Sequence, residues 1–184
     1  MRDEVYVRTV LEPSFEFARD LLFVPMLEAN LAHVLSLDHV GLLPPDHTKA
    51  LARVCTNMMW SPASWKPERY DPAFEDLFFM IEDRVMAEVG ADAASNMHLA
   101  MSRNDLEAAL FRMAGRDLIV SVAHALNRLR VTLLRVAQSE MHTVMLAHTH
   151  NQQAQPTTVG HYILGVEAGL ARDVDRLDGA WGRT

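Results

Sequence analysis

Residues 105–142 read DLEAALFRMAGRDLIVSVAHALNRLRVTLLRVAQSEMH, and their apolar positions predict one very long helix. The apolar side chains recur at the short steps that place residues along one face of a helix. They are Leu106, Leu110, Met113, Leu118, Val122, Ala125, Leu129, Leu133, Val136 and Met141. Gly115 costs about 1 kcal/mol relative to alanine inside a helix, so it marks a position where a kink is tolerated.

This helix is too long for a small domain to cover. At 1.5 Å per residue, a helix of about forty residues is about 60 Å long. We therefore expect the apolar strip from Leu126 to Leu134 to pack against further helices, supplied by sequence outside this chain, by other subunits, or by both. The sequence shows no sustained alternation of the kind that strands produce, so we predict an all-α fold.

Upstream of this segment, prolines and turn residues separate shorter helices. Seven of the eight prolines lie within the first 72 residues. Apolar spacing predicts three helices there, over 15–37, 50–58 and 72–89. Pro25 marks a break in the first of them or the first turn of a second piece, and Asp46 is the candidate N-cap of the second. The proline-rich stretch 61–71 predicts a loop, and Gly90 is expected to end the third helix.

Composition excludes several classes of partner and site. The formal net charge of -7 and the lack of a Lys/Arg cluster argue against nucleic-acid binding. Cys55 is the single cysteine, which rules out an intramolecular disulfide and an all-cysteine zinc site. The first residues lack the order of a signal peptide, and no stretch approaches the roughly twenty apolar residues that span a bilayer. We expect a soluble, cytoplasmic protein without a membrane partner.

The first of two polar segments comes directly before the long helix. Ser102, Arg103 and Asn104 bring a hydroxyl, a guanidinium and an amide together at a helix start. Free backbone N–H groups and the helix dipole also favour an anion there, so the segment can hold a carboxylate. On local composition alone, the simpler interpretation is that Ser102 or Asn104 caps the helix and that Arg103 is solvated.

The second polar segment, 145–161, follows the long helix. Thr149 and His150 place a hydroxyl beside an imidazole, which can pass a proton to a leaving group near neutral pH. A polar turn with capping threonines explains the same residues without any chemistry. A zinc site is the third alternative, and its candidate ligands are His142, His148, His150 and His161. Because acidic or thiolate partners at a matching spacing are missing, we predict no metal and no cofactor.

Both segments resemble signature regions of argininosuccinate lyases, which belong to the fumarase/aspartase superfamily. Ser102-Arg103-Asn104-Asp105 is similar to the Ser-Arg-Asn-Asp core of the first region. Residues 149–161 resemble the second, Thr-His-X-Gln-X-Ala-Gln-Pro with a trailing Gly-His. Upstream, Asn30-Leu31-Ala32-His33 resembles the family's Ser-X-Ala-His, and residues 75–82 resemble its Glu-Asp-X-His-X-X-X-Glu. Two ordered motifs at the family's spacing make a specific signal.

The resemblance implies an enzyme that eliminates an amine from an N-substituted aspartate and releases fumarate. It also implies that a serine on a Gly-Ser-Ser loop removes the Cβ proton, while a threonine and a histidine assist departure of the nitrogen. By position, that second role falls to Thr149 and His150. The residues that the resemblance assigns to substrate binding are Asn30, Ser102, Arg103, Asn104 and Gln152.

The same resemblance divides the chain into an N-terminal helical domain, residues 1–104, and the start of a central helical bundle, residues 105–184. It implies a homotetramer whose active sites combine segments of three subunits. Nothing in the sequence resembles the family's Gly-Ser-Ser-X-Met-Pro-X-Lys loop, so we expect the N-terminal part of such an enzyme, inactive by itself. The alternative is a catalytically silent helical protein that uses the long helix for oligomerisation or partner binding.

Several departures from the family's pattern concern the amine half of the substrate. The family's Thr-Gly-Arg before the Ser-Arg-Asn core is Leu99-Ala100-Met101 here, so one positive charge is absent. Met26, Phe78 and Leu106 stand where the family has an aspartate, a histidine and a glutamine. These changes leave the fumarate half of the site recognisable. An amine product other than arginine is therefore as well supported as arginine.

Overall fold

The computed structural model describes residues 3–184, apart from the side chain of Ser64, and is mostly helical. Its helices are α1 (Glu4–Tyr6), α2 (Glu12–Leu21), α3 (Phe23–His39), α4 (Pro45–Trp60), α5 (Pro62–Trp65), α6 (Leu77–Val89), α7 (Ala91–Ala94), α8 (Arg103–Ser139) and α9 (Val159–Trp181). A π-helical segment, Val7–Leu11, joins α1 to α2, and the two strands are β1 (Val144–Thr149) and β2 (Gln152–Thr158). The predicted helical fold class is confirmed.

The chain forms two compact units, of which the first ends at Ala114 and the second is Gly115–Thr184. Helix α8 begins in the first unit and ends in the second. With 37 residues it confirms the predicted long helix, and Gly115 does not interrupt it. The predicted domain boundary after residue 104 stays a prediction, because a compact unit is not by itself a domain that folds alone.

The helices of the first unit begin and end close to the predicted positions. The break in the first helical segment falls at Leu22, and Pro25 lies in the first turn of α3, where its fixed φ is compatible with a helix. Helix α4 begins at Pro45, so Asp46 lies in its first turn and is not the N-cap. The predicted loop at 61–71 contains the short helix α5. Gly90, at a φ of 83°, ends α6 as predicted.

The core of the first unit lies between α2, α3, α4, α6 and α8. Its most deeply buried aliphatic side chains come from four of these helices and are Leu27, Val34, Leu51, Val85 and Leu110. Burial of each such side chain contributes about 1.5–3 kcal/mol. This core fixes the positions of α3, α6 and the start of α8, which carry the first polar segment and its surroundings.

Within residues 3–184, no single helix is long and apolar enough to cross a membrane. The bent pair Glu4–Leu21 and Phe23–His39, with 65° between its members, meets that criterion by length and composition alone. Its second member is α3, which supplies part of the core described above.

The second unit is an antiparallel helix pair closed by a β-hairpin. Gly160 lies against the end of α8, where a Cβ atom would come within 2.6 Å of the Ala137 carbonyl oxygen. Further along the pair, Arg130 Nε donates to Glu167 Oε1 at 2.7 Å. The lack of a side chain at Gly160 therefore allows α9 to approach α8 closely, and one largely buried ion pair stabilises the contact.

The segment between α8 and α9, for which the sequence indicated a polar turn and no strand, forms a β-hairpin. Strands β1 and β2 are antiparallel, and they pair Val144 with Thr158 and Thr149 with Gln152. The register shifts between Leu146 and His148. Neither strand has one buried face, so the alternation of polar and apolar residues that indicates a strand is missing from the sequence.

Candidate functional site

Ser102 lies directly before α8 and caps it. The backbone N–H of Asn104 donates to Ser102 Oγ at 3.2 Å, and the N–H of Ser102 donates to Asp105 Oδ2 at 3.1 Å. This reciprocal pair satisfies N–H groups that a helix start leaves without partners. The side chains of Ser102 and Asn104 remain exposed at the positive end of the helix dipole. Ser102 therefore caps the helix, as the simpler interpretation held, and the segment is also accessible to an anion.

Arg103 is held among acidic and aromatic side chains and is not simply solvated. Its guanidinium contacts the carboxylates of Asp76, Glu75 and Glu107 and the rings of Phe78 and Phe79. The ion pair with Asp76 is the shortest of these contacts. Asp76 also caps α6 by accepting from the backbone N–H groups of Phe78 and Phe79. Because its charge is matched by neighbours, Arg103 fits a supporting role in the site.

Asn30 lies in the core of the first unit, in contact with a histidine that the sequence did not single out. Its side chain is 1% exposed, and its Oδ1 lies 3.1 Å from His98 Nε2. On the other side of the ring, His98 Nδ1 lies 2.8 Å from Glu82 Oε1. A ligand has no direct access to Asn30 in this unit, and its predicted role in substrate binding stays a prediction.

Burial lowers the pKa of His98 below its ordinary value, although the bond to the Glu82 carboxylate opposes this shift. The ring is therefore neutral near pH 7, with the proton on Nδ1 because Glu82 can only accept. Nε2 is then an acceptor, which suits an amide N–H better than the oxygen of Asn30. Turning the Asn30 amide over makes its N–H donate to Nε2, and Nδ2 is the buried atom that otherwise has no partner in the described residues.

The turn before Ser102 has an unusual backbone for its residue types. Ala100 adopts a φ of 59°, in the left-handed region that glycine occupies without strain. His33 Nε2 donates to the carbonyl of Leu99 at 2.9 Å and so holds the turn against α3. Ala100 stands where the resembled motif has glycine, so the left-handed position of this turn holds a residue whose Cβ is strained there.

The second polar segment lies at the tip of the hairpin. Thr149 ends β1, Gln152 begins β2, and His150 and Asn151 form the two-residue turn, with φ values of 51° and 61°. Two left-handed residues in succession are the signature of a type I′ turn, whose twist matches that of paired strands. Asn and His are among the few residues that accept this conformation. Thr149, His150 and Gln152 are all exposed.

The predicted site residues therefore fall into two groups. In the first unit Asn30 contacts His98, the His98 ring contacts Phe78, and the Phe78 ring lies against the guanidinium of Arg103. The second unit holds Thr149, His150 and Gln152 together at the hairpin tip. Sequence analysis missed the link between Glu82 and His98. Glu82 lies in a segment that carries the family resemblance, but His98 lies outside the resembling motifs, and 16 positions separate the two residues.

Candidate metal ligands do not cluster in the part of the chain that the structure describes. Among these residues, no three His, Cys, Asp or Glu side chains could hold one metal ion. His161, one of the four histidines considered for zinc, contacts Thr157 Oγ1 through Nδ1 at 3.1 Å, and its backbone N–H donates to Thr158 Oγ1. Its position is explained by the start of α9.

Comparison with known proteins places the chain among lyases. A model of a family described as Lyase matches residues 75–183. The chain is 37% identical over 150 residues to the argininosuccinate lyase of Methanospirillum hungatei, with 80% of this chain and 30% of that protein covered. It is 32% identical over 177 residues to argininosuccinate lyase 2 of Agrobacterium fabrum, with 95% and 34% covered. The predicted resemblance is confirmed, and the chain spans about a third of the length of these relatives.

The fold has counterparts among solved structures. A crystal structure of EDDS lyase in complex with formate matches with a TM-score of 0.75 at 24% identity. The match covers 100% of this chain and 38% of that one. At this level of identity the likeness concerns the fold, which agrees with the helical architecture described above.

Proposed function

This chain belongs to the lyase family whose model matches residues 75–183, and from that membership we propose that it carries part of the active site of a carbon–nitrogen lyase. The substrate is an N-substituted aspartate. A proton leaves Cβ, the bond between Cα and nitrogen breaks, and the electron pair of the C–H bond becomes the second bond of fumarate. The nitrogen is protonated as it leaves, so the second product is an amine. No cofactor is required for this balance.

The observation that carries the proposal is the first polar segment at the amino end of α8. Ser102 and Asn104 are exposed at the positive end of the α8 dipole, and three carboxylates hold Arg103 between them in the sequence. Such an arrangement favours a carboxylate, and a carboxylate that accepts charge from Cβ stabilises the carbanion-like transition state. We assign this segment to the carboxylate end of the substrate.

The hairpin tip supports the other half of the proposal. Thr149 and His150 are exposed and adjacent, and two left-handed residues define the turn. An imidazole donates or accepts a proton near neutral pH, which is what departure of an amine requires. We assign Thr149 and His150 to the nitrogen side of the substrate and Gln152 to binding. The base that removes the Cβ proton comes from outside these 184 residues.

Fumarate release, followed by absorbance near 240 nm, tests the proposal. A panel of N-substituted aspartates should yield fumarate with the longest form of the protein, and His150→Asn should lower kcat by at least about a hundredfold. His148→Asn is the matched control, because His148 lies on the same hairpin and is exposed. The 184-residue chain alone should give no release above background. Release by this chain that does not depend on His150 would show that the site has been assigned to the wrong residues.

Ser102 needs a separate control because it also caps α8. Ser102→Ala removes the cap, at a cost of about 1 kcal/mol in stability, as well as the hydroxyl. Asn104→Ala leaves the cap intact, since only the backbone of Asn104 takes part in it. Both variants should raise KM for the aspartate substrate, while the thermal midpoint should fall only for Ser102→Ala. An unchanged KM in Asn104→Ala would remove that residue from the site.

We also propose that the chain assembles with further copies. In the second unit, α8 exposes Leu118, Val122 and Leu129, and α9 exposes Tyr162 and Val166. Apolar surface of this extent on two neighbouring helices favours a partner. Light scattering should report a mass above that of one chain. A monomer at micromolar concentration would contradict this part of the proposal.

Location in the cytoplasm and a place in arginine biosynthesis are supported only by the argininosuccinate lyase names of the relatives. The competing function is a catalytically silent helical protein that uses the same surfaces for assembly. It predicts oligomers without fumarate release from any form of the protein, so the assays above separate the two.

A further inference from the structure

A groove in the first unit opens beside Arg103 and has a cavity volume of about 660 Å³. Most of its lining is apolar, and the lining includes the exposed rings of Phe17 and Phe111, whose centroids are 6.5 Å apart. A cavity of this size, apolar with a few charged groups on one side, is typical of a small-molecule site. It adjoins the segment that we assign to the substrate's carboxylate end, because Arg103 belongs to both.

Three departures from the resembled motifs meet in this groove. Met26 of α3, Phe78 of α6 and Leu106 of α8 all belong to its lining. Each is apolar where the motif has a residue able to form strong hydrogen bonds. Because the three lie on different helices, their meeting is visible only in the structure. Met26 and Leu106 are buried, so the apolar surface that the groove presents comes largely from the exposed rings of Phe17 and Phe111, which favours an occupant with an apolar part.

The charged residues at one side of the groove determine which apolar molecules it favours. Glu75, Asp76 and Glu107 belong to the lining, and Arg103 is the single cation among them. Three carboxylates against one guanidinium leave an excess of negative charge. Glu75 and Glu107, at 3.7 and 3.5 Å, are the more distant partners of Arg103, and their side chains are 64% and 51% exposed. An additional cation therefore finds carboxylate oxygens within reach.

We propose that this groove binds the amine half of the substrate and that this half has an aromatic or branched apolar body. The inference rests on the proposed function and narrows its substrate class. The body lies on Phe17 and Phe111, and a second cationic group of the amine half, separate from the nitrogen that leaves, faces Glu75 and Glu107. A guanidinium substituent fits less well, because Arg103 already supplies one to these carboxylates.

Calorimetric titration of the 184-residue chain with three probes tests the inference. Phenethylamine combines an aromatic body with an ammonium group, agmatine is a polar dication with a guanidinium and an ammonium group but no apolar body of similar size, and 2-phenylethanol is the neutral counterpart of the first. Phenethylamine should bind at least tenfold more tightly than either of the others. Equal affinities for phenethylamine and agmatine, or no binding of phenethylamine, would overturn the inference.

Variants locate the binding site. Phe111→Ala should raise the Kd of phenethylamine about tenfold, since the aromatic contact between the ligand and the Phe111 ring is lost. Glu107→Gln should raise it severalfold for phenethylamine and leave 2-phenylethanol unchanged. Val120→Ala is the matched control, because Val120 is an exposed apolar residue of α8 that belongs neither to the groove nor to the residues assigned to assembly. If Phe111→Ala leaves the Kd of phenethylamine unchanged, the amine binds outside the groove and the inference fails. If Phe111→Ala dissociates a dimer of this chain that phenethylamine does not affect, a second chain occupies the groove and the inference also fails.

Failure of this inference and failure of the proposed function give different results. If the longest form of the protein releases fumarate only from aspartates with polar substituents, the lyase function stands and the apolar amine class is wrong. If phenethylamine binds as described and no aspartate is cleaved, the groove is a cation site and the lyase function is wrong.

Discussion

Asn30 and His98 lie 68 positions apart in the sequence, yet Asn30 Oδ1 and His98 Nε2 are 3.1 Å apart in the core of the first unit. The opposite ring nitrogen of His98 contacts Glu82, so the histidine joins α3 to α6 through polar groups. Buried polar groups stabilise a fold only when they are paired. Protonation of His98 therefore bears directly on the stability of this unit.

Acidification should weaken the first unit through His98. Burial lowers the pKa of His98 in the folded chain, so the unfolded chain binds the proton more readily. The associated stability is present above the ordinary pKa of about 6.5 and is lost as the pH falls from there toward the lowered value. The free energy of unfolding of the unaltered chain should therefore exceed that of the His98→Gln variant by a larger amount at pH 7.5 than at pH 5.5. His148→Gln, an exposed variant, is the control, and a constant difference for His98→Gln would contradict the shift.

Gly160→Ala should destabilise the second unit by about 2 kcal/mol. The added Cβ would lie 2.6 Å from the Ala137 oxygen and 2.8 Å from Met141 Cα, both of which are backbone atoms. Gly165→Ala makes the same change in the same helix with nothing within 4 Å. That variant should gain up to about 1 kcal/mol from helix propensity. Urea unfolding should show shifts of opposite sign, and equal shifts would mean that α9 does not approach α8 at Gly160.

Ala100→Gly should stabilise the first unit by about 0.5–1 kcal/mol, because Ala100 has a φ of 59°. Loss of the strained Cβ outweighs the greater freedom of glycine in the unfolded chain. Ala108→Gly, at an exposed position within α8, should cost about 1 kcal/mol instead. Thermal unfolding of the two variants measures both effects. Destabilisation by Ala100→Gly would show that the turn before Ser102 is not left-handed.

Cys55 should react with thiol reagents only when the first unit opens. The side chain is fully buried, and burial raises the pKa of its thiol to about 11. Since the thiolate is the reactive form, both access and ionisation are unfavourable in the folded chain. Reaction with Ellman's reagent at pH 8 should be slow in buffer and rapid in guanidinium chloride. Rapid reaction of the folded chain would place Cys55 outside the core.

Helical periodicity was sufficient to predict α8 and most of the first unit, because the apolar residues of these helices face one core. Leu106 and Leu110, for example, were assigned to one face of α8 and are buried. The hairpin at 144–158 lacked any such signal. Its strands expose both faces, and polar residues such as Gln152 and Gln153 resemble a loop.

The candidate site was predictable where its residues are adjacent in the sequence. Ser102, Arg103 and Asn104 form one segment, and so do Thr149 and His150. The contact between His98 and Glu82 depends on how α6 packs in the core, which no local pattern encodes. The same holds for the meeting of Met26, Phe78 and Leu106 in one groove.

The turn at His150 and Asn151 limits how this region can change. Its two residues are both left-handed, and they set the pairing of Thr149 with Gln152. A third residue inserted there either enlarges the loop or slips β2 by one position, which turns each of its side chains to the opposite face. Asp or Gly at position 151 keeps the geometry. This turn therefore tolerates substitution by the few residue types that accept a left-handed conformation, whereas any change of length redirects the histidine.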